Sequence, residues 1–135
     1  MLLSQTSRYA LRAAAYLGEC FAEDRAVPVG EIADATGVPR NYLSKTLHLL
    51  ARQGVLLSER GPKGGFRLAR PPGLVRLVDV VAPLEPAFTE RTCLLGRPTC
   101  SDRDPCAAHA RWRHLADEVT DFLGSTSLAD LSGGD

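Results

Sequence analysis

A chain of 135 residues with 44% apolar content is long enough for one compact domain with an added dimerisation element. It holds no apolar run long enough to cross a bilayer, and no secretory signal is recognised at its start, so we expect a soluble, cytoplasmic protein without a membrane partner. The formal net charge is zero, which alone would argue against nucleic acid as a partner.

Charge is distributed unevenly along this neutral chain. Residues 1–39 carry three basic and five acidic residues, residues 40–76 carry eight and one, and residues 77–135 carry five and ten. The middle segment therefore has a net charge of +7. A merely solvated face seldom concentrates that much charge of one sign, so the segment indicates a phosphate-binding surface.

The N-terminal third predicts two helices. Apolar residues recur at helical spacing from Ser4 to Phe21, and a polar turn follows at residues 23–25. Pro28 starts the next element, a short helix over Val29–Thr36.

A third helix is predicted from Arg40 to about Gln53. Gly37 supplies the turn before it, Pro39 is expected at its first helical position, and Gly54 ends it. Three leucines at helical spacing face inward, namely Leu43, Leu47 and Leu50. A helix, a glycine-containing turn and a second helix are typical of a helix-turn-helix, although many helical bundles share this pattern.

The outward face of that third helix has the chemistry of base recognition. With the leucines in the core, the solvent side carries Arg40, Asn41, Ser44, Lys45 and His48. Asparagine pairs with adenine, arginine and lysine pair with guanine, and serine contacts either base. The alternative is an ordinary polar helix surface. We expect these residues to enter a major groove of double-stranded DNA.

A basic, glycine-rich tip follows between two short predicted strands. The strands are Val55–Leu57 and Phe66–Leu68, and the tip carries Arg60 and Lys63, placed to reach phosphates or the minor groove. Gly64 and Gly65 lack the spacing of a nucleotide-binding P-loop. The segment therefore predicts the wing of a winged helix-turn-helix.

The predicted fold is mainly α-helical, with this two-stranded wing. An apolar helix over Leu74–Leu84 is expected to pack beneath the wing. A helix from Pro105 to about Gly124 is expected to form a dimer interface, with a simple core helix as the alternative. Ser127 is expected to cap a last turn. The expected division is a DNA-binding domain at 1–84, a ligand-binding loop at 85–106, and a dimerisation helix with a tail at 107–135.

Four metal-ligand residues lie within seventeen positions: Cys93, Cys100, Cys106 and His109. The gaps between them are six, five and two residues, and the last places Cys106 and His109 on one face of a helical turn. A disulfide framework is the alternative, but a reduced chain favours a metal or iron-sulfur centre. Cys20 is interpreted as a small buried apolar residue.

Several motifs resemble the IscR and NsrR family of winged-helix transcription regulators. They are Ser7 to Leu11, Asn41 to Leu43, Arg60 to Phe66, the three late cysteines, and Cys106 to Trp112. The resemblance spans Leu3 to about Leu131. It implies a homodimer, a near-palindromic promoter site, bases facing the start of the third helix, Arg60 in the minor groove, and a cluster that controls DNA affinity.

Two branches of the resemblance imply different clusters. IscR-like members hold a 2Fe-2S cluster with three cysteines and a histidine placed like His109. NsrR-like nitric oxide sensors hold a 4Fe-4S cluster and use an acidic residue where this chain has Arg8, which cannot ligate iron. Three thiolates and an imidazole also suit tetrahedral zinc, and thiol oxidation without metal is a further alternative.

Catalysis and a protein-only adaptor are the competing classes of function. A cysteine and a histidine can form a nucleophilic pair, but no oxyanion device or orienting acid stands at a motif spacing, so an enzyme is not expected. An adaptor would not need the basic middle segment. The sequence therefore predicts a DNA-binding regulator that senses redox state, iron-sulfur status or nitric oxide.

Overall fold

The computed structural model describes residues 3–85 and 109–132, except the side chains of residues 109 and 132. The helices are Gln5–Glu19 (α1), Val29–Thr36 (α2), Arg40–Arg52 (α3), Leu77–Val81 (α4), His109–Ser125 (α5) and Leu128–Ser132 (α6), and the strands are Leu56–Glu59 (β1) and Gly65–Leu68 (β2). Short 3-10 turns occupy Phe21–Glu23 and Pro72–Leu74. The predicted fold class, mainly helical with a two-stranded wing, is confirmed.

Helix α1 is the centre of the fold. Its Ser4 cap accepts a 3.2 Å hydrogen bond from the Ser7 N–H, and its small buried side chains let α2, α3, α4 and α6 pack closely around it. The buried residues are Ser7, Ala10, Ala13, Ala14 and Leu17. The helix ends at Glu19, earlier than expected, because the chain passes through Cys20 into the 3-10 turn, which a left-handed Asp24 with a φ of 50° then closes.

The helix-turn-helix is formed by α2 and α3. Gly37 has a φ of 74°, a conformation that favours glycine, and its N–H closes α2 on the Ala33 carbonyl at 2.9 Å. Pro39 has extended ψ of 135° and caps α3, so the first helical residue is Arg40 and the expected position of this proline was wrong by one residue. The three predicted leucines of α3 are fully buried.

The wing is an antiparallel pair of strands, and its second strand is hydrogen-bonded to the segment before α2. Leu56 lies opposite Leu68, and Ser58 lies opposite Phe66. The Val27 N–H donates to the Phe66 carbonyl at 2.8 Å, and the Phe66 N–H donates to the Val27 carbonyl at 2.9 Å. The segment before α2 therefore pairs with the second strand of the wing.

Helix α4 is shorter than the expected helix over Leu74–Leu84. Val75 and Arg76 are extended because this stretch pairs with the connection between α5 and α6: the Leu77 N–H donates to Thr126, and the Leu128 N–H donates to Val75, both at 2.9 Å. The main contacts of α4 are with α1 and α5. Its Asp79 also contacts Arg70, which follows wing strand β2, at 3.5 Å, and the packing of this helix beneath the wing stays a prediction.

The C-terminal helices contribute to the same core as the N-terminal part. Leu123 of α5 and Leu128 of α6 are buried in the cluster that contains the α1 and α3 leucines. The predicted cap is confirmed, because the Asp130 N–H donates to the Ser127 hydroxyl at 3.3 Å. A domain boundary at residue 107 stays a prediction. Within the described residues, no helix has the length and apolarity needed to span a membrane.

Candidate nucleic-acid interface and cysteine-histidine segment

The structure brings the five predicted base-reading residues onto one side of α3. This helix is anchored in the core by leucines that are fully buried on its opposite side. Four of the five side chains are exposed and Ser44 is half-buried; the exposed ones are Arg40, Asn41, Lys45 and His48. A rigid helix with its polar face in solvent, beginning at Arg40, has the form of a recognition helix.

Two cations of the basic middle segment, Arg67 and Arg70, form ion pairs with carboxylates. The Arg67 guanidinium contacts Asp24 at 2.8 Å and Glu59 at 2.6 Å, and Arg70 contacts Asp79 at 3.5 Å. Across residues 3–85 and 109–132, no ion pair involves the four predicted contact cations, which are Arg40, Lys45, Arg60 and Lys63. These four cations, at the start of α3 and on the wing, are therefore available to a polyanion.

The wing tip is a tight turn that presents Arg60 and Lys63 to solvent. Gly61 has a φ of 102°, and the Gly64 N–H closes the turn on the Gly61 carbonyl at 2.9 Å. A Cβ at Gly64 would overlap the Glu59 carbonyl oxygen, so only glycine fits there. Both cations are exposed on this narrow loop, as contact with a phosphate backbone requires.

The predicted metal ligands fall largely outside the described residues. Cys93, Cys100 and Cys106 lie in the segment between the two described ranges, and His109 is the first residue of α5, with its side chain outside the description. Within the two described ranges, no cluster of His, Cys, Asp and Glu side chains could hold a metal ion. These four assignments stay predictions.

Comparison with known proteins decides the family. The model of the Rrf2 family, described as an iron-dependent transcriptional regulator, matches residues 3–133. The chain belongs to the Rrf2 family. It is 39% identical to a protein of Aquifex aeolicus (strain VF5) that is named as an HTH-type transcriptional regulator. The match covers 97% of this chain and 91% of that protein.

Further relatives agree with the resemblance to IscR. The HTH-type transcriptional regulator IscR of Xenorhabdus nematophila is 32% identical, over 97% of this chain and 79% of the relative. Among solved structures, CymR, the global cysteine regulator of B. subtilis, matches with a TM-score of 0.83, 26% identity, and coverage of 100% of this chain and 99% of that one.

The IscR of T. potens is also a structural relative of this Rrf2 chain. It matches with a TM-score of 0.79 and 25% identity, over 98% of this chain and 87% of that one. The named relatives are transcriptional regulators, so this Rrf2 chain is a regulator of transcription and not an enzyme.

A polar network connects α1 and α2 of this Rrf2 regulator. The Tyr16 hydroxyl donates to Glu31 at 2.6 Å, and the Arg25 guanidinium donates to both Glu31 oxygens at 2.9 and 2.6 Å. The bonds from Arg25 and then Tyr16 lower the pKa of Glu31 to about 2, while the bond to Glu31 raises the pKa of Tyr16. The network fixes the start of α2 to α1.

Cys20 is buried, as expected for a small apolar residue. It is 5% exposed and belongs to the core cluster, although an Arg25 N–H lies 3.9 Å from its sulfur. Burial raises the pKa of the thiol, which disfavours the reactive thiolate.

Two aromatic contacts of α3 were not expected from the sequence. Tyr42 is 52% exposed, and its ring centroid lies 6.0 Å from that of Tyr9 on α1. The His48 ring lies 5.1 Å from that of Phe66 in the wing, at an interplanar angle of 77°. Both partners are distant in sequence, so no local spacing signals either contact.

Proposed function

We propose that this Rrf2 regulator binds double-stranded DNA as a homodimer, with α3 in the major groove and the wing on the adjacent backbone or minor groove. The observation that carries the proposal is the location of the cations that no described carboxylate holds. Four of them, Arg40, Lys45, Arg60 and Lys63, lie at the exposed start of α3 and on the wing tip. Asn41 and Ser44 supply neutral base-reading groups beside them.

Salt dependence of DNA binding tests this proposal. A gel-shift titration with double-stranded DNA at several salt concentrations should give a log-log slope of about −0.9 for each phosphate neutralised. Selection from random DNA should then yield a near-palindromic site whose half-sites stand about one helical turn apart, roughly 34 Å. A flat salt dependence would contradict DNA binding.

Homodimerisation is supported by the exposed apolar side of α5. Leu115 is 45% exposed and Phe122 is 56% exposed, and their spacing of seven residues puts both on one helix face. A second copy of the chain would bury this face. Sedimentation should give a dimer for the natural chain and a monomer for Phe122→Glu, while Asp121→Lys, which changes an exposed polar neighbour, should remain dimeric.

We propose that Cys93, Cys100, Cys106 and His109 hold an iron-sulfur cluster, with 2Fe-2S as the first candidate. The donor set fits, because three thiolates and one imidazole give each iron of a 2Fe-2S centre two protein ligands. When bound, such a cluster supplies reversible redox chemistry. The iron-dependent description of the family and the structural likeness to an IscR support this assignment. DNA affinity would then depend on the state of the centre.

Spectroscopy with metal analysis tests the cluster. Anaerobically purified protein should contain iron and sulfide and show a 2Fe-2S absorption spectrum, which His109→Ala should change. The matched control is His114→Ala, whose exposed imidazole contacts Glu118 at 3.0 Å and should leave the spectrum unchanged. A 4Fe-4S spectrum insensitive to His109→Ala would favour an NsrR-like nitric oxide sensor, and a colourless zinc protein would exclude cluster sensing.

A regulator without a cluster is the second candidate. It is favoured by the structural likeness to CymR, the global cysteine regulator of B. subtilis. Protein that lacks iron, sulfide and zinc but binds DNA in an oxidant-dependent way would support this thiol-based alternative.

A further inference from the structure

We propose that His48 is a positioning residue that holds the wing against the recognition helix, and that it does not read a base. This inference rests on the proposed DNA binding. His48 lies on the exposed side of α3 with the predicted contact residues. Its ring, however, packs edge-on against Phe66, with centroids 5.1 Å apart and planes at 77°. That geometry is a preferred arrangement of aromatic pairs.

Phe66 is a fixed point of the wing. Its side chain is 2% exposed, and both of its backbone polar groups are bonded to Val27, at 2.8 and 2.9 Å. It also stands opposite Ser58 in the sheet register. A contact with Phe66 therefore restricts the position of both strands of the wing.

The direct covalent route from α3 to the wing passes through a glycine. Gly54, with a φ of 84°, separates α3 from β1, and one backbone bond, from the Val55 N–H to the Leu50 carbonyl at 3.0 Å, spans it. Buried leucines hold the wing root from the core side. His48 adds a contact from the exposed side of α3, which fixes the angle between the helix and the wing tip.

This angle matters because two separate parts of the protein have to meet one DNA duplex. The α3 residues are expected in the major groove, and Arg60 is expected in the minor groove or on the backbone. A fixed angle makes both contacts possible at once, without ordering the wing during binding. A packed imidazole ring, in contrast, is restricted in its freedom to turn toward a base edge.

A double-mutant cycle between His48 and Arg60 tests the inference with the full chain at matched iron content. His48→Ala should lower affinity for the selected DNA site by about two- to tenfold, and His48→Phe, which keeps an aromatic ring on Phe66, should bind like the natural chain. Arg60→Ala should cost about tenfold in the natural chain but only about twofold in His48→Ala, because the wing is then already misplaced.

Three outcomes separate the possibilities. Loss of preference at one base pair in His48→Phe would mean that His48 reads a base and would overturn the inference. Additive effects of His48→Ala and Arg60→Ala would also overturn it. If the natural chain itself shows no salt-dependent DNA binding, the proposed function fails instead. Thermal unfolding of each variant shows whether the fold is intact, as expected for substitutions of exposed residues.

Discussion

The Ser7 hydroxyl donates a 2.9 Å hydrogen bond to the Oε1 atom of Glu85, and the same oxygen accepts a 2.7 Å bond from the Ser4 N–H. Ser7 is fully buried on α1, and Glu85 is the last residue described before the cysteine segment. Burial tends to raise the pKa of Glu85, but the bonds from Ser4 and Ser7 outweigh it and lower the pKa. These two hydrogen bonds thus connect the start of α1 to the last residue of the first described range.

Replacing Ser7 tests the strength of this connection. Ser7→Ala removes one donor while the Ser4 N–H remains, so we expect the free energy of unfolding to fall by about 1 kcal/mol. Urea denaturation measures it, with Thr6→Ala on the exposed side of α1 as the control. An unchanged midpoint in Ser7→Ala would mean that the bond contributes nothing net.

Glu31 should make stability depend on pH in the acid range. Its pKa is about 2 in the folded chain, against an ordinary value of 4.5, because Arg25 and Tyr16 donate to the carboxylate. A lowered folded pKa gives stability that is present above the ordinary value and is lost as the pH falls toward about 2. The difference in unfolding free energy between the natural chain and Glu31→Gln should shrink over that range, measured by urea denaturation in a pH series. A constant difference would contradict this coupling.

Arg60 and Arg70 should differ in their contribution to DNA binding. Arg60 is exposed at the wing tip, whereas Arg70 is held by Asp79 at 3.5 Å. Arg60→Gln should reduce the magnitude of the log-log salt slope by about 0.9, the effect of one phosphate contact. Arg70→Gln should leave the slope unchanged, and equal effects of the two substitutions would argue against a specific role for the wing tip.

Asn41 should contribute to sequence specificity. Asn41→Ala should weaken binding to the selected site by about 1 to 3 kcal/mol and relax the preference at one base pair. Competition binding with sites that carry single base-pair changes measures both effects. If the preferred sequence of Asn41→Ala were unchanged, the side chain would not read a base.

Gly65 should be needed for the wing. It has a φ of 151°, and a Cβ there would overlap the Val27 carbonyl oxygen that pairs with Phe66. Gly65→Ala should therefore destabilise the fold by about 1 to 3 kcal/mol and weaken DNA binding. Gly73→Ala is the matched control, since its nearest neighbour would be the Ala129 Cβ at 4.0 Å. Equal melting temperatures for the two variants would contradict the steric argument.

The sequence by itself determined those features that depend on neighbouring residues. Helical spacing of leucines gave α3 and its buried side, Gly37 and Gly54 marked the helix ends, and the glycine-rich basic tip indicated the wing. Local backbone preferences and side-chain periodicity extend over a few residues, so they can be recognised without a tertiary structure. The motifs that predict the family are of the same short-range kind.

Only the tertiary structure decided which distant groups meet. Spacing alone could not tell that Arg67 is held by Asp24, that His48 packs on Phe66, or that Ser7 bonds to Glu85. It also overestimated the helix after Pro72, because residues 75–77 pair with the connection after α5. Such contacts depend on how whole elements pack. They determine which cations remain for DNA and how the wing is held.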